Sequence, residues 1–188
     1  MRLSDCFSYL LAAVLVVPAG LMASQQPCQT SAPTALSKIW NFPKEATELL
    51  KEVRPKAYAA ELDAEGLASL SRFNDVSWER NSGHIERIRD EVNAMGKDRC
   101  RLQEIRRVAL PWQQREIDRI TPRLKDMATQ TQDAIRLLNT HEHTFWATKF
   151  PDDMAAIRTN ATPIYRSIVR EIQYAKLQHE LGLTSKSA

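Results

Sequence analysis

From Pro43 to Gly182 apolar residues recur three or four positions apart, the spacing of helices that each bury one face. Pro43, a favoured first-turn residue, opens a first helix whose stripe runs through Leu50, Val53, Ala57, Ala60, Ala64 and Leu67. A break is expected near Phe73-Asn74-Asp75. The second stripe carries Ile85, Ile88, Val92, Met95, Leu102 and Ile105 and stops near Leu110-Pro111. The third has the most regular register: Ile117, Ile120, Leu124, Met127, Thr131, Ala134, Leu138, His141 and Phe145, closed by Lys149-Phe150-Pro151. A fourth begins at Pro151 with Asp152 and Asp153, acids that suit the positive end of a helix dipole. It continues through Met154, Ile157, Ala161, Ile164, Ile168, Ile172 and Ala175 to a stop at Gly182.

No run alternates apolar and polar residues between turn signals, so no strand is expected. Four long helices with short connections predict an all-α, up-down-up-down four-helix bundle over residues 43–183. Pro55, Pro122 and Pro163 fall inside three of the helices and are expected to kink them. Residues 184–188 read as a disordered tail.

The start of the chain has a different pattern. Arg2 precedes the apolar run from Phe7 to Met22, which small residues follow, the layout of a signal peptide over residues 1–24 with cleavage favoured near Ala23-Ser24 or, alternatively, after Ala19. A membrane anchor is the competing reading, but the run is broken by Pro18 and falls short of the roughly 20 apolar residues that a span needs. No later stretch of that length occurs, so the mature chain is expected to lack a transmembrane helix and to be soluble. Neither Cys6 nor Cys28 follows a lipobox. Residues 25–42, rich in Gln, Ser, Thr and Pro, read as an extended arm.

Of the three cysteines, only Cys28 and Cys100 remain after cleavage, and an exported chain with two cysteines usually pairs them. At about 1.5 Å per helical residue the arm reaches Cys100 easily. The loop closed would be about 70 residues long and contribute about 4 kcal/mol in the chain-entropy model. Two free thiols are the alternative.

Composition adds exclusions. The 188 residues include five glycines, with 43% hydrophobic and 26% charged residues, which argues against a disordered, collagen-like or many-turned β chain. A net charge of +3 is too small to mark a general nucleic-acid binder, and no specific nucleic-acid partner is expected. Charge is nevertheless uneven. Around the connection between the second and third helices, residues 97–125 hold nine cations against four acids, whereas residues 126–160 hold three against five. Arg106, Arg107, Arg115 and Arg119 are therefore candidate contacts for an acidic protein or an anionic envelope surface. A plain solvated face is the alternative.

Candidate chemistry is sparse. In the bundle order, His84 and His141 fall in one layer, with Glu61 or Glu65 of the first helix at the same height and Phe73, Trp78, Phe145, Trp146 and Phe150 around them. Such a layer could hold a transition metal or haem. Equally, His141 could be a hydrogen-bonded core histidine and the aromatics a plug for the bundle end. His141 and His143 point about 200° apart on a helix and do not chelate together. There is no His-Glu-x-x-His, Glu-x-x-His, Cys-x-x-Cys-His, Gly-x-Ser-x-Gly or phosphate-binding Gly-rich loop. Asn160-Ala161-Thr162 is a sequon in form, but Pro163 follows it. Without a residue on which to base catalysis, the expected role is that of an exported, non-enzymatic binding or structural module, the alternative being a metal or haem carrier.

Overall fold

The computed structural model describes Cys28 and residues 41–70, 78–141 and 144–182, without the side chains of Trp78 and Arg80. The signal segment, the rest of the arm, the break at residues 73–75 and the tail at 184–188 lie outside the described residues.

Four helices make up the fold: α1 Phe42–Leu70, α2 Trp78–Ile105, α3 Pro111–Thr140 and α4 Phe150–Glu180. No strand is present among the described residues. The four pack on one another, α1 and α3 each lying against both α2 and α4. Among the described residues no helix is long and apolar enough to cross a membrane.

The 3-4 stripes become the core. Ala46, Leu50, Val53, Ala57, Ala60, Ala64 and Leu67 of α1 are fully buried, in one cluster with Ile88 and Met95 of α2, Met127 of α3 and Ile157, Ile164 and Ile168 of α4. Ala57, Ala60 and Ala64 give the middle of α1 a low profile, where bulkier residues of its neighbours can approach the backbone closely. Thr131, the polar member of the α3 stripe, is buried at no hydrogen-bonding loss because its hydroxyl donates to the Met127 carbonyl at 2.8 Å.

Helix ends follow from local chemistry. The Asn41 side chain accepts from the Lys44 amide at 3.1 Å, and its carbonyl accepts from the Glu45 amide at 3.0 Å, so Asn41 caps α1. At α3, Pro111 occupies the first turn, and Gln113 Oε1 accepts from the Leu110 amide at 2.8 Å. At the far end of α4, Gly182 takes φ of 66°, the left-handed conformation that suits glycine as a helix stop. Pro55, Pro122 and Pro163 are accommodated within continuous helices.

Two boundaries differ from the pattern: α2, expected to stop near Leu110-Pro111, ends at Ile105 and gives way to a 3-10 turn, Arg106–Val108. The third stripe predicts a helix reaching Phe145, but α3 ends at Thr140, and His141 adopts φ −135° and ψ 47°. The Thr140 hydroxyl donates to the Arg136 carbonyl at 2.9 Å and lies 2.7 Å from His141 Nδ1, and the His141 carbonyl accepts from the Thr144 amide at 2.9 Å in a turn. Phe145 nevertheless reaches the core from a 3-10 turn, Phe145–Ala147, edge-on to Phe150 at 5.1 Å and to Trp146 at 5.2 Å.

Because α1 is packed so closely, Ala60→Leu is expected to overfill the core and lower stability by about 1–3 kcal/mol. Leu67→Ala is expected to leave a cavity costing about 2–5 kcal/mol. Urea-unfolding midpoints of the two variants against the native chain measure both; an unchanged midpoint for either would contradict the packing.

Candidate functional site at the connection between α2 and α3

Two arginines of the cationic cluster are engaged within the fold. Arg106, in the 3-10 turn Arg106–Val108 after α2, clamps Asp118 of α3 through two nitrogens, one bond being 2.6 Å. This fork raises the guanidinium's affinity for its proton and lowers the pKa of the Asp118 carboxyl. Arg119 bonds Glu116 at 2.6 Å and reaches Glu171 of α4 at 3.5 Å. Arg101, also in the cationic stretch, pairs with Glu45 of α1 at 2.6 Å and with Glu104 at 2.8 Å.

Arg107 and Arg115 are different. Both are exposed, and neither makes an ion pair among the described residues. Val108 and Leu110, between them in sequence, are exposed to 52% and 45%. The connection therefore presents two cationic side chains and two apolar ones, a combination able to make both electrostatic and apolar contacts.

Beneath this surface lies a polar cluster that the stripe alone does not reveal. Glu116 is fully buried and accepts from Arg119 and from the Ser167 hydroxyl of α4. Burial is the largest influence and pushes its pKa above the ordinary glutamate value, while the Ser167 bond and the charges of Arg119 and Arg170 pull it down and Glu171 adds to the rise. Gln113, also fully buried, donates to the Pro43 carbonyl at 2.7 Å and to the Thr47 hydroxyl at 2.9 Å, tying the start of α3 to the start of α1. Position 113 stands four before Ile117, in register with the α3 stripe; that spacing was the available signal for its burial.

The candidate metal layer is distributed over separate interactions. His84 Nδ1 lies 2.8 Å from Asp63 of α1, which also binds Arg87 at 2.8 Å; together these bonds outweigh the opposing effect of burial and lower the Asp63 pKa. Glu61 accepts from the Thr162 hydroxyl at 2.6 Å, and Glu65 faces Arg158 at 3.4 Å. These two glutamates line an open groove of about 510 Å³ with Arg158, Thr162 and Arg166. His141 is exposed at the end of α3, because the helix stops one residue earlier than a seam position would require. Among the described residues no group of three or more His, Cys, Asp and Glu could hold a metal ion, so His84, His141, Glu61 and Glu65 do not assemble as the expected ligand layer. Asn160, of the sequon, is part-buried within α4 and donates to the Ala156 carbonyl at 3.2 Å.

The disulfide expected from sequence joins Cys28 of the arm to Cys100 of α2. The Cys28 and Cys100 sulfurs are 2.16 Å apart and their Cα atoms 5.2 Å apart, the arrangement of a disulfide.

Comparisons with protein-family models, curated proteins and solved structures found no match to this chain.

The Glu116 cluster makes stability depend on pH in a defined direction. A carboxyl whose folded pKa is raised contributes stability that is present below its unfolded pKa and lost as pH rises through the folded value. As pH falls from neutrality toward the ordinary glutamate range, the native chain should therefore gain stability relative to Glu116→Gln, which lacks that titration. Denaturant midpoints of both proteins at pH 7 and at pH values down to about 4.5 give the comparison; a constant difference between them would contradict it.

Proposed function

We propose that the chain is an exported, non-enzymatic up-down-up-down bundle with proline-kinked helices, acting as a binding or structural module in the cell envelope or outside the cell. Alternation of direction is supported by the order of the cross-helix pairs. Glu45 meets Arg101 while Asp63 meets His84, so numbers rise along α1 as they fall along α2. The same inversion relates Gln103–Thr121 to Arg106–Asp118, Ser167–Glu116 to Asn160–Gln130, and Thr162–Glu61 to Arg158–Glu65. Export is supported by the Arg2-to-Met22 pattern and by the pairing of Cys28 with Cys100, a bond that persists in oxidising compartments.

Exposed Arg107 and Arg115, beside exposed Val108 and Leu110, carry the binding half of the proposal. The contact they suit is an anionic envelope surface or the acidic face of a protein. Arg106 and Arg119 hold the surrounding framework in place, since each already binds a carboxylate within the fold.

Arg107→Ser with Arg115→Ser should change stability by no more than about 0.5 kcal/mol. In the same double variant, co-sedimentation with phosphatidylglycerol vesicles should fall several-fold and lose much of its salt dependence. Arg119→Ser should instead cost about 1–2 kcal/mol, because it removes a partly exposed partner from a buried carboxylate. If the native chain and the double variant sediment alike with phosphatidylglycerol and with phosphatidylcholine vesicles, and both bind an acidic polypeptide equally, the cationic end is a solvated face and the binding proposal fails.

A further inference from the structure

The sulfur pair has a charged neighbour that holding the arm does not require. One guanidinium nitrogen of Arg99 lies 3.5 Å from Cys28 Sγ and 3.7 Å from Cys100 Sγ, both within reach of a hydrogen bond to sulfur. Arg99 makes no ion pair among the described residues, so its charge is not already neutralised there. The acid next in sequence, Asp98, is engaged by Lys56 of α1 at 2.6 Å. Lys97, three residues before Cys100 on α2, adds a second cationic charge, whereas the sequence from Gln25 to Ser37 around Cys28 has no charged residue. Both cysteines are only half-buried, which leaves the bond open to attack.

We propose that Cys28–Cys100 is a thiol–disulfide exchange site in which Arg99 stabilises Cys100 as the leaving thiolate, so that a dithiol reductant can release the N-terminal arm from α2. A thiolate of the reductant attacks Cys28 Sγ and forms a mixed disulfide. The Cys28–Cys100 bond breaks, and its electron pair leaves on Cys100 Sγ beside the Arg99 guanidinium. The second thiol of the reductant then loses its proton and attacks its own sulfur in the mixed disulfide, which expels Cys28 as a thiolate that takes up a proton. The protein gains two electrons, the reductant becomes a disulfide, and the proton not taken by Cys28 passes to solvent while Cys100 remains a thiolate. Charge beside a sulfur favours this direction because a lower-energy thiolate is the better leaving group. Export accounts for formation of the bond; the exchange adds a way to open it and does not depend on what the cationic end binds.

Non-reducing peptide mapping of the full chain should first join Cys28 to Cys100; finding no such link would overturn the proposal. The native chain, Arg99→Gln and Arg99→Lys are then treated with dithiothreitol at pH 7, and free thiols are trapped by maleimide and counted by mass. Arg99→Gln should slow opening and shift the equilibrium toward the disulfide by about 3- to 10-fold, with partial recovery in Arg99→Lys. Equal rates and equilibria for all three proteins would overturn the role of Arg99. Should Arg99→Gln not fold, Cys28→Ser provides a second measurement, the rate at which neutral iodoacetamide alkylates Cys100. That rate should be several-fold higher in the folded chain than in urea; a rate no higher than in urea would overturn the proposal.

Discussion

Each helix of this protein has one apolar face and can bury it only against the others. This requirement governs the rest of the structure. Of the four stripes, that of α1 is the narrowest in volume, with Ala46, Ala57, Ala60 and Ala64 buried beside Leu50, Val53 and Leu67. A helix so dependent on alanine gains little from its own side chains, and its stability comes from the close approach of larger neighbours on α2 and α4. The core is therefore a shared one, and removal of any helix would expose stripes on two others.

Polar groups appear where the stripes begin. Asn81, Gln113 and Asp153 are all buried, and each falls at or beside the position where its helix's stripe would continue toward the N-terminus. Helix starts carry amides and neighbouring backbone groups without intrahelical partners; Gln113 is placed to serve them, whereas the Asp153 carboxylate accepts from the Lys149 ammonium at 2.6 Å. Gln113 takes the Leu110 amide on one side and donates to Pro43 and Thr47 on the other. Glu116 extends this polar zone one turn farther along α3, where its buried carboxylate fixes Arg119 and Ser167. The cationic end thus rests on an internally bonded base, which separates the arginines that hold the framework from those that face outward.

The helices were legible because 3-4 spacing is a one-dimensional record of a buried face, and Leu50 to Leu67, Ile117 to Leu138 and Met154 to Ile168 were recorded without ambiguity. The end of α3 was not, because Phe145 keeps the period although it enters the core from a 3-10 turn. Periodicity registers that a side chain is buried and is blind to the backbone that delivers it. The same blindness placed His141 on a seam it does not occupy. Charge counting located the cationic end but could not distinguish Arg106 and Arg119 from Arg107 and Arg115, since partners such as Asp118 and Glu171 are defined only by packing. Proximity of Arg99 to both sulfurs likewise depends on where the arm lies, although its place beside Cys100 in sequence was a partial signal.

The shared core is tested most directly by native-state amide hydrogen exchange, resolved by residue. Amides under the stripes of α1, α2, α3 and α4 should exchange with a common opening free energy that equals the free energy of global unfolding and falls in parallel with added denaturant. A helix whose stripe amides exchanged at a distinctly lower free energy, while the other three kept their protection, would show that it folds apart from them and would contradict a single core built from all four.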